Sequence, residues 1–359
     1  MKTIILLAAF TSALSAGTIY TVTDLGSLGG SSAVGFKINN SGAVTGWAQT
    51  ASGDQHAFVA NGAGLQDLSP SFGSDTFASG INASGVIAGT SYESGQAHGT
   101  IWTASGSTDL GPGIFATGIN NAGVVIGGNG HAFLLAHGDY QDLGVLQAGG
   151  WSSASGINQN GAVVGDASVG SGFHGFIWTA RTGMLPVGDL GGGTSHATGI
   201  NDSGAVVGTA SLASGYEHAF LAVGAMMTDL GTLGGGSSFA YSINDSGTVV
   251  GYSWLSSGQS PHAFVYANGI MLDLNSLLPK GSGWELTEAY GINDAGQIVG
   301  SGLFNGQVSA FRLDSNNSTI QSSSPVPEAG TTALVLIGLA LLVIERLRNA
   351  RTPSHRRTV

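Results

Sequence analysis

The side chains most capable of chemistry recur at regular intervals. Histidine opens the triplet His-Ala-Phe at His56, His131, His218 and His262, with variants starting at His98 and His174, and Ser309 takes its place in a seventh copy. An Asp-Leu pair recurs at Asp24, Asp67, Asp109, Asp142, Asp189, Asp229 and Asp273. Six imidazoles at equivalent positions could ring a metal if they faced one axis. Polar residues repeated at one position of every unit usually brace a repeat fold, so bracing is the expectation, with no metal and no cofactor. The Asn-Asp-Ser-Gly stretches at Asn201 and Asn244 lack the terminal Glu of a calcium loop and read as turns. No Gly-x-Ser-x-Gly elbow, phosphate loop or cysteine is present, and the glycines of Gly188–Gly193 precede no helix. No catalytic residue is assigned.

A second set is aromatic. Trp47, Tyr92, Phe173, Tyr216, Trp254 and Phe304, together with Trp151 and Trp284, stand among Ser, Gly and Gln. Flat rings amid small polar groups are surfaces on which sugar rings stack, so these residues form a candidate ligand-binding set. Aromatics capping the core are the competing interpretation.

The elements that position these residues follow from a third motif. Ile-Asn pairs occur at Asn39, Asn82, Asn120, Asn158, Asn201, Asn244 and Asn293, spaced 43, 38, 38, 43, 43 and 49 residues, each Asn followed three residues later by Gly. Asn-x-x-Gly between β-rich stretches closes a hairpin, because the Asn side chain bonds the backbone ahead and Gly supplies a positive φ. A Val-rich strand ending in Gly, the His-Ala-Phe strand and the Asp-Leu strand complete four short strands per repeat. Seven such repeats predict an all-β, seven-bladed β-propeller over residues 17–314, with a β-solenoid as second choice. Strand parity places the Asn-x-x-Gly turns on one rim and the variable loops, with their aromatics, on the other. The blade phase stays open: either each blade is one Asp-Leu to His-Ala-Phe unit, or the N-terminal strand completes a blade begun by the last three.

The ends differ in composition. Lys2, the apolar run Ile4–Phe10 and the small residues Ala13, Ser15 and Ala16 read as a secretory signal over residues 1–16. Residues 17–324 hold four basic and nineteen acidic residues, a net charge of −15, which excludes nucleic acid as an expected partner. Residues 315–325 are a polar linker. Beyond it come Val326, Pro327 and Glu328, an apolar run over 329–344 and the basic residues Arg346, Arg348, Arg351, Arg356 and Arg357. That run is short for a membrane span, which suits a transient segment.

Ile-Asn-x-x-Gly, Val-Val-Gly, His-Ala-Phe and Asp-Leu-Gly together resemble the HAF family of extracellular bacterial repeats. The tail over 326–359 resembles the PEP-CTERM sorting signal, with Ala329 where Pro is usual after Glu. The resemblance implies export, sorting by an exosortase-type enzyme, and residence in the cell envelope or extracellular matrix of a Gram-negative bacterium that makes exopolysaccharide. It carries no catalytic residues over. The expected role is a non-enzymatic surface or matrix protein that contacts polysaccharide or protein through one rim. A secreted glycan hydrolase or lyase using the same rim is the alternative.

Overall fold

The computed structural model describes residues 20–61, 64–68, 75–258 and 260–316; the secretory and sorting segments read from the sequence lie outside them. Seven four-stranded antiparallel sheets follow one another. In the first blade the strands are Gly29–Ile38, Val44–Thr50, Gln55–Asn61 and Gly64–Asp67, in order from the channel outward. Blades two to six repeat the plan over residues 76–112, 115–142, 152–186, 191–229 and 234–273. The seventh uses Trp284–Ile292, Ile298–Phe304 and Gln307–Ser315, and its outer strand is Tyr20–Asp24 from the N-terminal side, paired from Tyr20 opposite Ser315 to Asp24 opposite Phe311. The second of the two closures therefore holds: the ring is locked by a strand from the far end of the chain. Among the described residues the one helical element is the 3-10 turn Leu274–Leu277, and no helix is long and apolar enough to cross a membrane.

Each motif has a mechanical reason. The Asn-x-x-Gly glycines Gly42, Gly85, Gly123, Gly161, Gly204, Gly247 and Gly296 all have φ between +76° and +82°, as the turn requires. The Gly that ends Val-Val-Gly is fixed by space instead. A methyl built on Gly46, Gly89, Gly127, Gly165, Gly208, Gly251 or Gly300 would lie 1.9 to 2.0 Å from a carbonyl oxygen of the innermost strand, which bulges there. The Phe of His-Ala-Phe is fully buried in six blades as Phe58, Phe133, Phe176, Phe220, Phe264 and Phe311. The second blade has Thr100 in that place, and Trp102, two residues on, is buried in the cluster between the first and second blades. Apolar clusters fill all seven gaps between blades, the seventh-to-first gap included, where Phe58 and Val44 join Val299 and Ala310. Burial is thus between blades, so no blade has a core of its own.

The repeated Asn does more than turn the chain. Oδ1 of Asn201 accepts the Ala205 N–H at 2.9 Å and the Ser203 hydroxyl at 2.8 Å, while its Nδ2 donates to the Asn244 carbonyl of the next blade at 3.1 Å. The same Nδ2 bond runs from Asn39 to Asn82, on through Asn120, Asn158, Asn201, Asn244 and Asn293, and back to Asn39. Seven buried amides therefore form a closed belt around one mouth of the channel.

Candidate functional site

The repeated His and Asp meet each other. Nδ1 of His56, His98, His131, His218 and His262 lies 2.7 to 3.0 Å from a carboxylate oxygen of Asp67, Asp109, Asp142, Asp229 and Asp273, across the third and outer strands of one blade. Four of these carboxylates, Asp109, Asp142, Asp229 and Asp273, accept a backbone N–H of the following connector, from Gly111, Gly144, Gly231 and Asn275. His131 and the Gly144 N–H hold the Asp142 carboxyl below its ordinary range. The histidines stand two strands out from the channel and brace blade to connector. Among the described residues no group of three or more His, Asp or Glu is arranged to hold a metal.

Two blades break the pairing. In the fourth, Pro186 stands opposite Phe176 where five blades put Asp opposite Phe and the second puts Asp109 opposite Thr100, and Asp189 falls three residues late, in the connector, accepting from Gly191 and Gly193. In the seventh, Ser309 replaces His. Beside it a cavity of about 330 Å³ opens, lined by Asp24, Ser27, Ser31, Phe304, Asn305, Gln307 and Ser309. Phe304 is stacked on Trp284 at 4.9 Å and 23°, and Trp284 meets Phe311 edge-on, so the ring lining the cavity is backed by the core.

The other aromatics expected on the variable-loop rim divide by setting. Phe173 contacts Trp151 at 5.4 Å and His196 at 5.8 Å; both Trp151 and Phe173 are about 40% exposed, 41% and 39%, and form a continuous platform. Tyr216 and Trp254 are exposed and flank the glycine run Gly234–Gly236: a methyl on Gly236 would strike the Tyr216 ring at 2.5 Å, one on Gly235 the Trp254 backbone at 2.4 Å. Tyr92 is half-buried, edge-on to Phe77. Trp47 lies within its strand, opposite Val34 and Ala57, and is half-buried. The structure thus brings Phe173 together with Trp151, and Phe304 with Trp284. Trp47 and Tyr92 join neither group.

The innermost strands carry a set that the motifs conceal. Three residues before the belt Asn, four blades have Ser79, Thr117, Ser155 and Thr198, whereas the other three have Phe36, Tyr241 and Tyr290. These rings form a chain: Phe36 edge-on to Tyr290 at 5.6 Å, Tyr290 stacked on Tyr241 at 5.0 Å, then Tyr241 to Tyr252 at 5.7 Å and Tyr252 on Phe239 at 4.7 Å. The Tyr290 hydroxyl donates to Glu288. Burial first, then the Glu288 charge, pushes the Tyr252 phenol up to about 12 and raises Tyr241; Tyr290 is raised by burial and by its bond to Glu288. All three are protonated donors at neutral pH. Farther round, His196 Nδ1 lies 3.1 Å from Asp166 of the preceding blade, which raises the imidazole's affinity for a proton. Comparing the repeats column by column would have exposed this set, since these are the positions at which the repeats disagree.

The channel itself holds two spaces. The mouth at the Asn belt encloses about 350 Å³ and is lined by all seven turns; an inner space of about 200 Å³ is lined by Phe36, Lys37, Ser79, Thr198, Tyr241 and Tyr290.

No family model matches this chain, and no curated protein does. Solved structures are similar in fold. The β-propeller domain of the Trilobed protease from Pyrococcus furiosus, described as having an open velcro topology, superposes with a TM-score of 0.50 at 8% identity, covering 83% of this chain and 97% of that one. TolB from Acinetobacter baumannii gives 0.42 at 12% identity, over 77% of this chain and 64% of its own, so the match spans under two thirds of that protein. A gluconolactonase from Xanthomonas campestris gives 0.41 at 12%, over 72% and 90%. Identity this low speaks to the fold alone, and with seven four-stranded sheets closed into a ring, the chain is a seven-bladed β-propeller.

Proposed function

We propose that this propeller is an exported, non-enzymatic surface or matrix protein that binds polysaccharide at its variable-loop rim. The supporting observation is the cavity of about 330 Å³ between the seventh and first blades. It sets one backed aromatic ring, Phe304, among a carboxylate, a primary amide pair and three hydroxyls, from Asp24, Asn305, Gln307, Ser27, Ser31 and Ser309. A pyranose presents an apolar C–H face to stack and hydroxyls that both donate and accept, which is the complement of that lining. The Trp151–Phe173 platform offers a second stacking surface on the same rim for a longer chain. Export and sorting rest on the terminal segments, and an exosortase-type enzyme is the partner they call for.

Glycan cleavage is the second reading, favoured by the Glu288–Tyr290 pair and the His196–Asp166 pair near the channel. The raised phenols weigh against it, because a base that removes a sugar proton must be deprotonated at working pH. The test is titration of the full chain with exopolysaccharide from the producing bacterium, following tryptophan fluorescence and reducing ends together. Saturable quenching without new ends, weakened about tenfold by Phe304→Ala, is expected, since losing the apolar area a sugar face buries on that ring costs about 1.5 kcal/mol. New reducing ends would establish the enzyme instead. No response at all would reject both readings and turn the search to protein partners.

A further inference from the structure

Lys37 has no counterpart in the ring. The residue immediately before Ile-Asn is Gly80, Gly118, Gly156, Gly199 or Gly291 in five blades and Ser242 in another. The column is small because blades close upon it: a methyl on Gly80 would lie 2.9 Å from Gly118 Cα, and one on Gly199 would lie 3.1 Å from the Tyr241 carbonyl. In the first blade a lysine stands there, and its side chain lines both the mouth and the inner space of the channel. Of the four basic residues Lys37, Arg181, Lys280 and Arg312, it alone lines either space.

Its ammonium has no carboxylate partner and no hydrogen-bond acceptor among the described residues. Lys37 is half-buried; an ammonium partly withdrawn from water without an anion is costly, and burial lowers its pKa. A negative ligand would remove that cost. Lining the inner space with it are the Tyr241 and Tyr290 rings and Phe36, together with Ser79 and Thr198. The nearby acids are already engaged. Glu288 accepts from Tyr290, and at the mouth Asp202, Asp245 and Asp294 accept backbone N–H groups of Gln159, Asp202 and Asp245 at 2.8 to 2.9 Å. Three carboxylates at the entrance repel a multiply charged anion far more than a monoanion. Aromatic walls favour a ligand with an apolar face over a bare ion.

We propose that the channel is a second ligand site, taking one hexuronate residue with its carboxylate on the Lys37 ammonium and its ring against Tyr241 and Tyr290. This deepens the glycan reading by naming an acidic sugar, but it uses a different site from the rim cavity, so the two can fail separately. The experiment is calorimetric titration of the full chain with D-glucuronate, D-glucose and inorganic phosphate, on the wild type, Lys37→Gln and Phe304→Ala. Glucuronate is expected to bind at least tenfold more tightly than glucose or phosphate, to lose tenfold or more with Lys37→Gln, and to be unaffected by Phe304→Ala. A second readout needs no variant. Saturating glucuronate, and not glucose, slows acetylation of Lys37 by acetic anhydride severalfold in mass spectra, with exposed Lys280 as internal reference. Equal glucuronate binding by Lys37→Gln, phosphate binding as tight as glucuronate, or unprotected Lys37 would overturn the proposal. Failure of Phe304→Ala to weaken polysaccharide binding would count against the rim reading alone.

Discussion

Asn201→Ala should destabilise the propeller out of proportion to the few atoms it removes. The change deletes the acceptor of the Ala205 N–H and the Ser203 hydroxyl and the donor to the Asn244 carbonyl. Ser203 can turn to water. The Ala205 N–H and the Asn244 carbonyl are buried, and an unsatisfied buried group costs about 1 to 3 kcal/mol, giving roughly 2 to 6 kcal/mol in all. That is a large share of the 5 to 15 kcal/mol typical of a folded domain. Urea unfolding followed by tryptophan fluorescence measures it as a lowered midpoint at unchanged slope. Asn160→Ala is the control, because Asn160 donates to Asp202 on the exposed side of the same rim and both groups can hydrate, so about 0.5 kcal/mol or less is expected. The belt also predicts coupling. Asn201→Ala combined with Asn158→Ala, which donates to the Asn201 carbonyl, should depart from additivity by more than about 0.5 kcal/mol, whereas Asn201→Ala with the remote Asn39→Ala should add. A loss for Asn201→Ala no larger than that for Asn160→Ala, with both double variants additive, would refute the belt as a stabilising device.

Gly208→Ala, whose methyl would sit 1.9 Å from the His196 carbonyl oxygen, should cost about 3 kcal/mol or more, while Gly204→Ala, strained only by its φ of +82°, should cost about 1 to 2 kcal/mol; urea midpoints give the order. His218→Ala removes a brace whose Asp229 partner is 39% exposed, so solvent screening limits the loss to less than about 1 kcal/mol, and zinc should leave the wild-type melting temperature unchanged. The His196 pKa is raised in the folded state by its bond to Asp166, so the stability it adds is complete below the unfolded value and fades as pH rises through the folded one. The difference in urea midpoint between wild type and His196→Gln should therefore be larger at pH 6 than at pH 8.5, and the opposite trend would contradict the assignment.

Local chemistry was legible, and long-range pairing was not. Asn-x-x-Gly announces a turn within four residues, so strand count, period and rim parity could be read directly, and the seven positive φ values agree. The phase depends on Tyr20–Asp24 finding Gln307–Ser315 almost the whole chain away, which no local pattern encodes. Asp189 misleads for a related reason: the sequence spells Asp-Leu-Gly, but Gly183–Pro186 already fills the outer strand, so the Asp arrives in the connector. For the aromatics, parity gives the rim but not the exposure. Phe173 is free on one side because Trp151 and His196 hold its other contacts, whereas Trp47 shares the repeat position of Asp166 and Tyr252, inside the strand rather than at its tip.

The channel residues were missed because repetition draws attention to what is shared. In a closed ring of repeats, a shared residue is one that every blade needs: an Asn to join the belt, a Gly to admit the bulged carbonyl, a Phe to fill the gap. Seven identical side chains around an axis also present a sevenfold environment, which a sugar, having no such symmetry, cannot match. Recognition of an asymmetric ligand on the axis therefore requires departures from the repeat, and they must gather on one side. Phe36, Lys37, Tyr241, Tyr252, Glu288 and Tyr290 do gather, in the sixth, seventh and first blades, while the second to fifth blades carry the small residues Ser79, Thr117, Ser155 and Thr198. Ser309 is the same kind of departure on the rim, replacing a brace at the edge of an open cavity. Restoring the repeat tests this logic: Ser309→His should form the missing pair with Asp24 and raise stability by less than about 1 kcal/mol while weakening polysaccharide binding about tenfold, and a variant that gains stability without losing binding would show that the cavity is a packing defect.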